Sequence, residues 1–382
     1  MAFLNKNIAL AIAALAACGT AAASEDYDLR YAPGYGAADM SAPFEGGWVF
    51  QAHAYVYSGN VRGSQTVPGD LSPQLSAALH TTLPAGSVTS STVLHTNDQI
   101  NVWGLLPRLS YMSSTTFLGA TIGGTALLPL VDKSSMASVT GVSTTLGGPA
   151  LGLVPAQTQA ALVGLVNQTA AAQGAFLTNA NSNRTFYAGD LEVSPILRWA
   201  GEATQTLFVL TAVLPTGDYD PTRAANPGAG DFYTIRPAVQ FSYIGDGWDV
   251  GTRVAYSYNT RNHLTKYKTG SYVNWDLALM KSVSESTRLG VSGYMIDQLT
   301  ADKSDLSAEE CVEKFGTVGC EVVEARQAGT VGQKGRAFGA GPEIAYIHGA
   351  GDFLLEGRVM KEFGVETRPK GFTAIVSLSK PF

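Results

Sequence analysis

At 382 residues, with 45% hydrophobic and only 15% charged residues, the chain is too sparsely charged for an ordinary soluble surface. Its formal net charge of −6 carries no basic footprint, which argues against nucleic acid as a partner. Its 42 glycines and 9% aromatics, mostly Tyr and Phe, suit many short strands better than helices.

The chain opens "MAFLNKNIALAIAALAACGTAAASED". Lys6 gives a weakly positive start, and the apolar run from Ile8 to Ala17 is too short to span a membrane as a helix. This pattern predicts a secretory signal peptide over residues 1–23. "AAA" before Ser24 suits ordinary signal peptidase, whereas "LAAC" ending at Cys18 also has the form of a lipoprotein signal. Either route takes the protein out of the cytoplasm. Beyond Ala23 no stretch of 18 or more apolar residues remains, so a helical membrane protein is excluded and a soluble exported protein or a β-barrel is left. Residues 24–46, rich in Gly, Pro and Tyr, precede the first strand. They are either a flexible periplasmic leader or a plug folded into a lumen, where Arg30 would meet the wall; the plug is the expectation.

The later two-thirds of the sequence alternates. In "DLEVSPILRW", Asp190, Glu192, Ser194 and Arg198 oppose Leu191, Val193, Pro195, Leu197 and Trp199. "FYTIRPAVQFSY" and "WDVGTRVAYSYN" alternate in the same way, as strands with one apolar face do. Charges recur at mid-strand on the polar face, and Trp or Tyr often begins or ends the apolar one. That favours a barrel with a polar lumen and aromatic girdles over a soluble sandwich. Predicted strands run over residues 47–58, 97–111, 116–130, 185–200, 205–215, 231–244, 247–259, 270–283, 287–299, 335–347, 352–364 and 371–382. About twelve antiparallel strands, joined alternately by long and short connections, match a bacterial outer-membrane barrel over residues 47–382 with both termini periplasmic. The Ala- and Leu-rich "DLSPQLSAALHTTL" and "VPAQTQAALVGLVNQTAAAQGAF" put helix-like stretches into the first two long loops. They would either cap the mouth as packed helices or offer an apolar landing site. On the last strand, Phe372, Ala374, Val376, Leu378 and Phe382 face lipid, and the terminal Phe382 resembles the signal read by the barrel-assembly machinery.

Several stretches in order carry a resemblance: "YAPGYGAADMSAPFEGGWVF", "NVWGLLPRLSY", "GDLEVSPILRW", "VLPTGDYDP", "YSYNTRNHLTKYKTG", "GYMIDQLTADKSD", "GAGPEIAY" and "KEFGVETRPKG". From about Tyr31 to Phe382 the chain resembles the meta-pathway phenol-degradation (SphA-like) outer-membrane proteins. The resemblance implies a β-barrel linked with uptake of aromatic or other hydrophobic compounds. The two helix-like loop segments depart from that family's pattern.

The predicted lumen face collects Asp190, Glu192, Asp249, Asp276, Glu343, Glu356 and Glu362 with Arg198, Arg236, Arg253, Arg288 and Arg358. Arginine pairs bidentately with carboxylates and keeps its charge in a low dielectric. These residues would form an electrostatic plug that stiffens the wall, a selective constriction, or both. Asp218, Asp220, Asn226 and Asp231 crowd one loop, either as weak Ca²⁺ candidates or as ordinary turn residues. Cys311 and Cys320 bracket eight residues of the 300–334 loop, and export favours a disulfide over a metal pair.

A lipid hydrolase would need an oriented Ser–His pair. The five histidines (His53, His80, His95, His263 and His348) show no nucleophile context, and "GRAFGAG" reads as a packing or kink site inside a strand. The sequence therefore predicts no enzyme and no cofactor. It predicts a channel for small hydrophobic solutes, aromatic ones among them, whose partners are outer-membrane lipid, the assembly machinery and the solute. The alternatives are a closed barrel acting through its outer loops and, third, a lipid hydrolase.

Overall fold

The computed structural model describes residues 24–25, 29–36, 46–180, 182–349 and 351–382; the expected signal peptide, with Lys6 and Cys18, lies outside them. Chain order gives β1 (Gly47–Asp70), α1 (Ser72–Leu79), β2 (Thr89–Phe117), β3 (Ala120–Leu127), β4 (Leu130–Gly147) and α2 (Ala156–Ala180). Next come β5 (Asn183–Ala188), β6 (Leu191–Ala200), β7 (Thr204–Leu214), β8 (Thr234–Gly245), β9 (Trp248–Asn259) and the two-residue β10 (Tyr267–Lys268). The rest are β11 (Tyr272–Ser282), β12 (Thr287–Gln298), β13 (Lys303–Ser304), α3 (Ala308–Ala328), β14 (Arg336–His348), β15 (Phe353–Glu366) and β16 (Lys370–Pro381).

The wall runs β1–β16–β15–β14–β12–β11–β9–β8–β7–β6–β3–β2, and a β1–β2 pairing closes it as a twelve-stranded antiparallel barrel. Closure removes every edge at membrane depth, where an unpaired backbone group has no water to turn to. The ladder reaches the last residue: Phe382 N–H donates to the Trp48 carbonyl at 3.0 Å. The expected alternation holds along the wall. On β9, Trp248, Val250, Val254, Tyr256 and Tyr258 are exposed, while Asp249, Arg253, Ser257 and Asn259 are buried. Outward-facing Trp48, Trp199, Trp248 and Tyr346 mark the short-turn end, and Tyr233, Tyr258, Phe363 and Phe372 the long-loop end.

Two expectations about the first loops are corrected. The first short turn is not 112–115: β2 continues to Phe117, and the chain reverses at Leu118–Gly119, both with positive φ (51° and 75°), as a two-residue hairpin turn demands. Nor are 59–96 and 131–184 simply loops. β1 and β2 stay paired from Gly47↔Met112 to Asp70↔Thr89, and β4 continues the line of β3 along β2 to Gly147. The third strand is broken at Leu128–Pro129, where proline lacks the N–H a ladder needs. The fourth is broken between β5 and β6, and there Gly189 N–H donates to the Pro129 carbonyl at 2.8 Å. Beyond these breaks β1, β2, β4 and β5 form a sheet that leaves the barrel. Both predicted helices are present, but α2 packs on this sheet. Ala170 is buried against Leu94, and a side chain at Gly174 would collide with Val139. Leu71, Leu75, Val88, Val154 and Val166 form a second small core beneath α1 and α2.

β1 begins and β16 ends at the short-turn end. The described residues ahead of β1, however, run through the interior. Leu29 and Tyr31 pack with Tyr55, Tyr57, Leu106, Tyr294 and Met360 inside the barrel. Ser24 and Glu25 lie among residues of the long loops, against Asp302, Tyr219 and Asn262.

Candidate functional site: the lumen and its N-terminal segment

Period-two geometry sends every second side chain of each wall strand inward, so charges spaced by twos on neighbouring strands meet. Arg253 of β9 stands directly across from Asp276 of β11. Glu343 of β14 faces Arg358 of β15, whose guanidinium lies 2.9 Å from Glu343 and 3.6 Å from Glu356, all three almost fully buried. Arg288 reaches over β11 to pair with Asp249 near the short-turn end. Arg236 of β8 lies 3.4 Å from Glu192 of β6, and Arg198 donates to Gln205 at 3.1 Å. Glu362 accepts from Tyr57 (3.1 Å), Tyr294 (2.9 Å) and the Gly371 N–H (2.7 Å). Asp190 accepts from the N–H groups of Gly217 and Ala229, both at 3.0 Å. All twelve candidate lumen residues therefore sit on the inner wall or its rim. They fall into separate clusters rather than one ring.

The segment Leu29–Gly36 threads these clusters. Arg30 lies 3.0 Å from Asp190, stacks on the Phe232 ring at 3.8 Å, and donates to the carbonyls of Gly230 and Phe232. Tyr31 donates to Asp276, Tyr272 to the Leu29 carbonyl, and Arg236 to the Arg30 carbonyl. Tyr35 meets His53 edge-on at 4.8 Å. Gly36 is closely packed here, because a Cβ would run into the Asp276 carboxylate and force it to shift.

Beside this segment is a cavity of about 190 Å³, walled on one side by Tyr55, Tyr57, Ile100, Val102, Leu106 and Leu127. Arg30, Asp190, Arg236 and Arg253 supply its polar points. These inward apolar residues escape a reading that equates polar with inward. The visible signal is β1, where Tyr55 and Tyr57 alternate with Ala54 and Val56, so that neither face is polar.

Elsewhere the candidate residues have local roles. Asp218 pairs with Arg223 at 2.7 Å, and Asp220 accepts from Thr222 N–H and hydroxyl at 2.8 and 2.7 Å. Asn226 accepts from Asp220 N–H at 2.9 Å, and Asp231 lies 3.7 Å from His263. Among the described residues, Asp218, Asp220 and Asp231 belong to no convergent group of three acid, His or Cys ligand atoms. Cys311 and Cys320 are joined by a disulfide inside α3, across its non-helical Gly316. Glu324 lies beside them, but disulfide sulfurs are no longer thiolate ligands. His53 Nδ1 is 2.8 Å from Ser377 Oγ, and both residues are fully buried inside the barrel, away from any lipid ester.

Comparison with known proteins gives a family. The model described as "Putative MetA-pathway of phenol degradation" matches residues 81–378. A search of curated proteins finds no match. The fold is similar to that of the COG4313 outer membrane channel from Pseudomonas putida F1, at 14% identity and a TM-score of 0.54, covering 89% of this chain and 97% of that one. More distant are the Ralstonia pickettii toluene transporter TbuX (9% identity, TM-score 0.36, covering 95% and 96%) and a Pseudomonas aeruginosa FadL homologue (6%, 0.38, 94% and 97%). The closed barrel, the family match and the likeness of its fold to the COG4313 channel make the chain an outer-membrane β-barrel of the bacterial type.

Proposed function

The chain belongs to the phenol-degradation family, and from that premise we propose that it is an uptake channel for small hydrophobic solutes of about single-ring size. The apolar cavity of about 190 Å³ against the N-terminal segment carries this reading. An apolar cavity of ~150 Å³ is enough to hold benzene.

A solute entering at the long-loop end would leave water for the Tyr- and Leu-lined pocket, gaining roughly 25 cal/mol for each Å² of apolar surface removed from water. It would meet paired rather than bare charges, so desolvating the wall costs little beyond what folding has already met. Onward passage would require Leu29–Gly36 to shift, because residues of that segment line the cavity and pack against the inner wall. Residues 24–46 are thus read as the gate. The gradient drives net flux, with no enzyme activity or cofactor. Lipid contacts the apolar outer face, and the assembly machinery reads the strand ending at Phe382.

The test is planar-bilayer conductance and liposome uptake of radiolabelled toluene, by the full chain and by a chain lacking residues 24–46. Uptake by the full chain above that of empty liposomes supports the channel, and a further rise on deletion assigns the gate. No uptake by either chain overturns the reading. The second reading, a closed barrel acting through its outer surface, is favoured by the sheet of β1, β2, β4 and β5 that leaves the barrel. It predicts silence in both assays.

A further inference from the structure

Asp302 lies between β12 and β13 in the long loop and is 1% exposed. Its Oδ1 accepts from the Gly270 N–H (2.7 Å) and Gln298 Nε2 (2.6 Å), and its Oδ2 from Tyr267 Oη (2.8 Å) and the Ser24 main-chain nitrogen (2.6 Å). No described Lys, Arg or His forms an ion pair with it. Burial pushes its carboxyl above the usual range in spite of the four donors. A carboxylate so enclosed and uncompensated is costly unless a cation reaches it.

Ser24 is the residue that follows "AAA". It is 0% exposed and has a φ of 73°, a left-handed conformation that a serine seldom adopts while another residue precedes it. Hydrolysis of the Ala23–Ser24 bond consumes one water. The carboxylate departs with the leader, and the amine left on Ser24 takes a proton near neutral pH. The φ torsion and its steric penalty disappear with residue 23.

We propose that Asp302 is the built receptor for the α-ammonium group created by cleavage before Ser24, and that this ion pair latches the lumen segment at the long-loop mouth. Processing then replaces a neutral amide donor with a cationic one at the same oxygen. Glu25 extends the latch by accepting from Tyr219 Oη (3.2 Å) and Asn262 Nδ2 (2.9 Å), which ties the mouth loops to the chain end. Lipidation at Cys18 would leave no free amine at Ser24, so the two processing routes make opposite predictions here.

The test uses the exported chain purified from outer membranes. Its mass should place the first residue at Ser24. Acetylation with an N-hydroxysuccinimide ester is followed by peptide mass, with exposed Lys314 as internal control. An α-amine held by Asp302 should react about tenfold or more slowly than in the heat-unfolded chain, the factor for a one-unit rise in its pKa. D302N should return most of that rate, and folding is checked by heat-modifiable gel mobility. Should D302N fail to fold, a glycine inserted between Ala23 and Ser24 moves the amine by about 3.5 Å while keeping Asp302. That amine should then react at the unfolded rate. A chain beginning elsewhere, full reactivity of Ser24 in the folded wild type, or undiminished protection in the folded variant each overturns the proposal. Amine reactivity is read whether or not solute passes, so failure of the latch and failure of the channel reading are separate results.

Discussion

The guanidinium of Arg30 lies 3.0 Å from the carboxylate of Asp190, with both side chains almost wholly out of water. A residue ahead of the first strand is thereby fixed to the rim of the fourth. Removing Arg30 takes the guanidinium from a buried Asp190 that keeps the Gly217 and Ala229 N–H donors. R30A should loosen the segment and raise the open-channel probability about tenfold for each ~1.4 kcal/mol lost. Single-channel recording checks this, and D190N should move the same way.

Arg358 stands between Glu343 and Glu356 in the wall, so its loss leaves two buried carboxylates facing each other. R358M should destabilise the barrel by about 3–5 kcal/mol, the cost of breaking a buried pair from one side. Adding E343L and E356Q should recover most of this. Unfolding midpoints in detergent measured by gel mobility will show it.

A Cβ at Gly36 would occupy the space of the Asp276 carboxylate. G36L should therefore expel the segment while leaving every wall strand intact. Its conductance should match that of the chain lacking residues 24–46, with an unchanged barrel unfolding midpoint.

Cys311 and Cys320 close a loop with a sequence separation of 9 within α3, outside the wall strands. Reduction should cost α3 about 2–3 kcal/mol of local stability by loop-closure entropy. Proteolysis within α3 should speed up while the barrel's heat-modifiability stays unchanged.

Asp70 accepts from the Ser72 N–H and the Gly86 N–H, both at 2.9 Å, and the Ser72 and Gly86 hydrogen bonds hold its carboxyl below the usual range. A lowered folded value contributes stability above the usual carboxylate range, and that stability is lost as pH falls through the folded value. The site is exposed, so about 1 kcal/mol or less is at stake. Protection factors of the amides around α1, taken against the intrinsic exchange rate at each pH, should fall on acidification in the wild type but not in D70N.

The wall was readable because lipid imposes period two on each span: Thr234 to Tyr243 and Trp248 to Asn259 declare both face and register. Three features were not readable, for physical reasons. Above the membrane both faces of a sheet meet water or a helix, so "VRGSQTVPGD" has no apolar side to betray a strand. A bend needs only one residue, Pro129, which looks like any loop proline. The inward Tyr55, Tyr57 and Met360 are apolar because a peptide packs on them, and alternation alone cannot distinguish a peptide from lipid. The inward side of the charged residues, by contrast, follows from parity, but their partners do not: Arg198 donates to Gln205, and Glu362 accepts from two tyrosines.

β1 is a single unbroken strand from Gly47 to Asp70, 24 residues, whereas β9 needs only 12 to cross. At about 3.3 Å per residue, the difference is roughly 40 Å of strand beyond what one span needs. The outer leaflet of such cells is capped by charged sugars that hold back oily molecules. On the channel reading proposed above, this length of sheet would give such a molecule a protein surface to touch before it meets the barrel mouth.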